Sequence, residues 1–129
     1  MAIANLDVME RENLIENSAT MGAYFKQQLR ERFADHPYVG DIRGEGLMMA
    51  IELVADRKTK RFFDHDKWVH RIVQKKAFEE GVMVRALPFV EAISFSPPLC
   101  ITPAEIDEAL DRFQRGFDKA MPELRAAAG

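Results

Sequence analysis

The chain has 129 residues, of which 47% are hydrophobic and 30% charged, and a net charge of -3. That composition excludes a disordered or fibrous polypeptide, and the length suits one domain that buries about two-thirds of its unfolded surface without disulfide or metal staples. Scattered Lys and Arg argue against nucleic acid as a partner, the single Cys100 excludes an internal disulfide framework, and the absence of an export signal or a roughly 20-residue apolar run points to a cytoplasmic protein.

From Asn5 to Ala34 there is no proline, and Leu14, Ile15, Gly22, Phe25, Leu29 and Phe33 recur at steps of three and four. One long amphipathic helix is expected, ended by His36-Pro37 because proline disfavours the helical conformation of its predecessor. Its about 30 residues would make a rod of about 45 Å. A compact domain of this size has a diameter of only about 36 Å, so the rod should overhang or fray, or lie against something outside this chain.

The segment Tyr38 to Val54 reads as an extended stretch, a break bracketed by Gly44 and Gly46, and an apolar strand from Leu47 to Val54; two strands or one bent strand fit equally well. The polar stretch ADRKTKRFFDHDK is expected to be a surface loop anchored by Phe62 and Phe63. Asp64 or Asp66 can cap a second helix with Trp68, Val69, Ile72, Val73 and Phe78 as its buried stripe and Gly81 as its left-handed stop. Short strands at Val82–Arg85 and Ala92–Phe95 follow. The last helix is punctuated by Thr102 as N-cap, Pro103 at the first helical position and Glu105 to close a capping box, with Ile106, Leu110, Phe113 and Phe117 facing inward. The expected architecture is α+β: a small antiparallel or mixed sheet of three to four strands covered on one side by helices.

The three histidines, His36, His65 and His70, stand at no metal-site spacing and read as surface or boundary residues. Cys100, between Leu99 and Ile101, reads as a packed thiol. The acids of FFDHD and AEIDEALD are accounted for by helix N-termini. RGEG, Arg43 to Gly46, is followed by a strand-like run rather than a helix, so a tight bend explains it better than a phosphate cradle does. Arg85 is different: it ends an apolar run and precedes the loop ALPFVEA. Its stem could lie on apolar surface while the planar head binds a carboxylate. A snorkelling surface arginine, or one paired with Glu91 or Glu80, fits the same spacing.

The segments VGDIRGEGLMMAIELV, AFEEGVMVRALPFVEAISFSPPLCIT and PAEIDEALDRFQRGFDKAM, in that order after a long helix, resemble the C-terminal small domain of class III aminotransferases, pyridoxal-phosphate enzymes of the aspartate aminotransferase-like fold. The likeness runs from about Asn5 to Met121 and is strongest to omega-amino acid:pyruvate and amine:pyruvate transaminases. It implies a mobile substrate-carboxylate arginine at Arg85 and a strand entry shaped by the Arg43, Gly44 and Gly46 motif. An ornithine-type enzyme would carry its arginine where this chain has Ser94.

The resemblance further implies an amine or amino acid donor, a keto acid acceptor such as pyruvate, and a homodimeric parent. The Schiff-base lysine and the other groups that hold the cofactor would belong to a large domain upstream of residues 1–129. None of Lys26, Lys58, Lys60, Lys67, Lys75, Lys76 or Lys119 stands in a matching context. The expectation is a detached C-terminal domain that binds no pyridoxal phosphate and catalyses nothing alone. The rival expectation is a stand-alone α+β binding or dimerisation module, or a truncated product without function.

Overall fold

The computed structural model describes residues 1–129. Four helices and four strands follow in the order α1 (Ala2–Arg11), α2 (Leu14–Phe33), β1 (Val39–Glu45), β2 (Met48–Leu53), α3 (Val69–Glu79), β3 (Arg85–Ala86), β4 (Ala92–Phe95) and α4 (Pro103–Ala128), with a single 3-10 turn at His65–Lys67 before α3. The strands form one antiparallel sheet in the order β1-β2-β4-β3. Its inner face carries Ile42, Met49, Ile51, Leu53, Ile93 and Phe95, all buried in one core with Phe25, Leu29 and Phe33 of α2, Val69, Val73 and Ala77 of α3, and Ile106, Leu110, Phe113 and Phe117 of α4. The helices therefore cover one face of the sheet, as an α+β reading requires.

Aromatic edges knit the layers. Phe113 of α4 meets Phe33 of α2 at 5.5 Å and Phe95 of β4 at 4.9 Å between ring centroids, both edge-on. This is the geometry aromatic quadrupoles prefer. The punctuation of α4 is as expected: Thr102 accepts from the Glu105 amide while Glu105 reaches back to the Thr102 amide, and Pro103 opens the helix.

The long first helix is in fact two. Asn13 adopts a left-handed conformation at φ 50° and separates α1 from α2. Asparagine tolerates that region better than most residues, and α1 buries no residue that would hold a straight rod together. At about 30 Å, α2 alone fits within the domain, and Ile3, Leu6 and Ile15 remain exposed.

The second helix departs in detail as well. Asp64 caps the 3-10 turn by accepting from the Asp66 amide, whereas the residue at the N-cap of α3 is Trp68, which is left-handed at φ 51°. Val69, Val73 and Ala77 recur every four residues and are buried; Phe78 falls one residue off that line and is 63% exposed, and Trp68, ahead of the helix, is exposed as well. Phe63 anchors its loop while Phe62 stays exposed. Strand β3 is shorter than Val82–Arg85, since only Arg85 and Ala86 pair with β4.

At the end of α3, the Glu80 carboxylate receives Lys119 and Arg115 of α4. Their hydrogen bonds, Lys119 first, hold its pKa below the ordinary carboxylate value. A depressed folded pKa contributes stability above the unfolded value that is lost as pH falls through the folded one. Urea titrations should therefore show Glu80→Gln less stable than the parent at pH 7, with the difference vanishing in acid; a gap that persists below both pKa values would refute the ion-pair account.

Candidate functional site

The outer face of the sheet has no helix over it. Arg43 of β1, Ala50 of β2, Ser94 of β4 and Arg85 of β3 are register partners in a single row. Directly opposed residues share a face, so the row places a guanidinium at each sheet edge with two small residues between. Three strand spacings separate the arginine backbones by about 14 Å.

The two arginines differ in electrostatic state. Arg43 contacts Asp41 at 3.0 Å and Glu52 at 2.8 Å, and those bonds, Asp41 first, raise its pKa. Its charge is thus balanced on the spot. Arg85 is exposed. Glu91, one candidate partner, lies against His65 at 2.8 Å and His70 at 2.6 Å. Glu80, the other, is taken by Arg115 and Lys119. The pairings left open by the sequence are therefore not made, and the guanidinium has no acidic partner.

Local structure explains how a charge can follow an apolar run. Val84, just before β3, is buried, while Arg85, the first residue of β3, is exposed. Gln74 of α3 donates to the Val84 carbonyl at 3.0 Å and seats the start of β3. An apolar cleft of about 320 Å³, lined by Phe25, Val82, Phe95, Pro97 and Ile106 among others, does not include Arg85. A carboxylate held by Arg85 would need its second wall from elsewhere.

Arg43, Gly44 and Gly46 form the end of the β1–β2 hairpin, the tight bend expected of RGEG. Gly46 adopts φ +54°, and a Cβ on Gly44 would lie 2.1 Å from the Met48 carbonyl oxygen. These residues fix the strand entry and do not converge on Arg85, which sits at the opposite edge.

Two expectations about polar residues are corrected. His70 is completely buried, not a surface or boundary residue, because Glu91 supplies a partner inside the fold. Cys100 is exposed, since the chain turns after Pro98 and only Ile101 points inward. The His65–Glu91–His70 cluster was not foreseen; an acid between Val90 and Ala92 was the one sign of it.

The lysines are dispersed over the fold. Lys26 donates to the Gly44 carbonyl, Lys76 and Lys119 meet Glu79 and Glu80, and Lys58, Lys60, Lys67 and Lys75 are exposed on loops and on α3.

Comparison with known proteins places this geometry in a family. The sequence profile described as Aminotransferase class-III matches residues 1–117. The diaminobutyrate–2-oxoglutarate transaminase of Halomonas elongata is 39% identical over 122 residues, covering 95% of this chain and 26% of its own length. The putrescine–pyruvate aminotransferase of Pseudomonas aeruginosa is 34% identical over 126 residues, 98% of this chain and 27% of its own.

Among solved structures, one from work on the directed evolution of transaminases by ancestral reconstruction superposes with a TM-score of 0.92 at 43% identity, covering 95% of this chain and 27% of that one. The omega transaminase of Pseudomonas jessenii in complex with PMP superposes at 0.83 and 36% identity, covering 92% and 25%. The chain spans about a quarter of the length of the curated relatives it matches. On the profile match and the superposition of its helices and four-stranded sheet, the chain belongs to the class-III aminotransferase family.

Proposed function

We propose that this chain is the C-terminal small domain of a pyridoxal-phosphate-dependent transaminase that moves an amino group between an amine or omega-amino acid and an alpha-keto acid such as pyruvate. In it, Arg85 binds the carboxylate of the keto acid. The observation that carries this reading is the unpaired guanidinium of Arg85 at the edge of an open sheet face, with both nearby acids engaged elsewhere. A free planar fork of donors matches a carboxylate bidentately. The position beside it, Ser94, is where an ornithine-type relative would carry its own arginine; as cross-strand partners the two positions address the same space.

The domain contributes recognition, and the cofactor's chemistry belongs to the rest of the enzyme. The exposed Ile3, Leu6 and Ile15 fit a chain that lies against a further domain. The test compares the 129-residue chain with the protein made from its full upstream reading frame. The short chain should show no transamination. The long one should convert an arylalkylamine and pyruvate to alanine, and should use acetone, which lacks the carboxylate, at least about 100-fold less well. Turnover by the short chain, or equal use of both acceptors, would reject the proposal.

A further inference from the structure

We propose that Glu91 is a positioning residue for Arg85: clamped between His65 and His70, it sets the seat of the β3–β4 hairpin and so of the guanidinium on the opposite face. The inference rests on the reading of Arg85 as the carboxylate-binding group.

The hairpin needs such a device. Strand β3 is two residues long, lies at the sheet edge and pairs on one side only. Between it and β4 run Leu87 to Glu91, with Phe89 90% and Val90 45% exposed, so the loop tip has almost no packing of its own. The loop is closed at its base. The Leu87 amide donates to the Ala92 carbonyl at 3.0 Å, the Ala92 amide to Val90 at 2.8 Å, and Leu53 of β2 donates to the Glu91 carbonyl at 2.6 Å. Arg85 is two residues before Leu87, and its backbone inherits whatever order this base has.

The Glu91 side chain carries that base onto α3. Counting back along β4 from Ser94, which faces outward with Arg85, Glu91 falls on the helix side. There its carboxylate, 4% exposed, accepts from His65 Nδ1 at 2.8 Å and from His70 Nδ1 at 2.6 Å, with the His70 amide at 3.4 Å. The imidazoles stack at 5.8 Å, and Trp68 packs on both while Arg71 lies over its indole. A buried carboxylate is tolerated only when its oxygens are so occupied. Even then the arrangement is not cheap, for His70 Nε2 is buried with no partner. Apolar residues of similar volume would fill this space without that cost. What they would not supply is a directional link between the start of α3 and the loop beside Arg85.

In the full-length transaminase, Glu91→Ala should raise KM for pyruvate about tenfold while kcat changes less than twofold. Glu91→Gln, which keeps the shape and can accept from one imidazole but presents an N–H to the other, should fall between. Hydrogen exchange should show the Leu87 amide faster in both variants, with Ile51 unchanged. If Glu91→Ala fails to fold, Glu91→Gln decides: a rise in KM with faster Leu87 exchange supports the proposal, and parental values overturn it. Arg85→Ala is run alongside. A pyruvate-selective loss in Arg85→Ala with none in the Glu91 variants overturns the positioning role alone; no selective loss in Arg85→Ala overturns both it and the reading beneath it.

Discussion

Gly22→Ala should cost the domain at least about 3 kcal/mol and Gly22→Val should leave it largely unfolded, whereas the neighbouring Ala23→Val should shift stability by about 0.5 kcal/mol or less. A glycine inside a helix is ordinarily a liability, and alanine there is worth about 1 kcal/mol in favour of folding. The structure reverses that sign. A Cβ at Gly22 would stand 2.2 Å from the carbonyl oxygen of Gly46, 2.4 Å from its carbon and 2.8 Å from its Cα. All three are backbone atoms of the β1–β2 turn, so no rotamer change relieves the overlap. Either α2 retreats from the sheet, opening the contact around Phe25 and Leu29, or the hairpin bends and Gly46 leaves its left-handed conformation. Denaturant titration of the three variants would measure the order. An Gly22→Ala protein as stable as its parent would show that α2 does not meet the hairpin backbone.

What could be read from residue order, and what could not, divides along physical lines. The start of α4 was legible because Thr102, Pro103 and Glu105 act on amides within three residues of themselves. Strand β4 was legible for a like reason: Ala92–Phe95 lies between turn-forming segments and runs into a Ser-Pro-Pro stop. The break at Asn13 was not, because no proline or glycine marks it and the polar run Glu10 to Asn13 suits the exposed side of a helix as well as a break; α1 buries no residue that would hold the two helices in line. Phe78 misled through composition rather than position; its offset from Val69, Val73 and Ala77 was already in the sequence, and the stripe those three define leaves it facing outward.

The site shows the same division. Arg85 was expected to end a strand and instead opens β3, and its freedom from partners depended on where two distant acids go. Glu80 is drawn to α4 because Arg115 and Lys119 lie one helical turn apart on the facing surface. Glu91 is carried to the helix side by the pleat, out of reach of a residue that the same pleat turns outward. Neither outcome can be known until strand register is fixed, and β3 is too short for its own pattern to fix it. The burial of His70 was hidden likewise, since its partner lies 21 residues away.

On the proposed function, Arg85→Ala in the full-length protein should raise KM for pyruvate about 100-fold and leave the use of acetone, and of a simple arylalkylamine, nearly unchanged. Charge-assisted hydrogen bonds contribute about 1.5–3 kcal/mol each, so a bidentate pair amounts to about 3 kcal/mol once its two bonds share one desolvation cost. At 1.4 kcal/mol per factor of ten, that is about 100-fold. Pyruvate and acetone differ in electrophilicity as well as charge, so the decisive quantity is the coupling in a two-by-two cycle of arginine against substrate carboxylate, in which the intrinsic difference cancels. Arg85→Lys keeps the charge without the fork and should recover part of the loss, about tenfold. Misfolding is a poor rival explanation, because Arg85 is exposed and has no acidic partner within the domain. Its removal should shift stability by no more than about 0.5 kcal/mol. Loss of activity by the same factor with pyruvate and with acetone would place the carboxylate elsewhere in the enzyme, and would return Arg85 to the status of a solvated charge at the edge of a sheet.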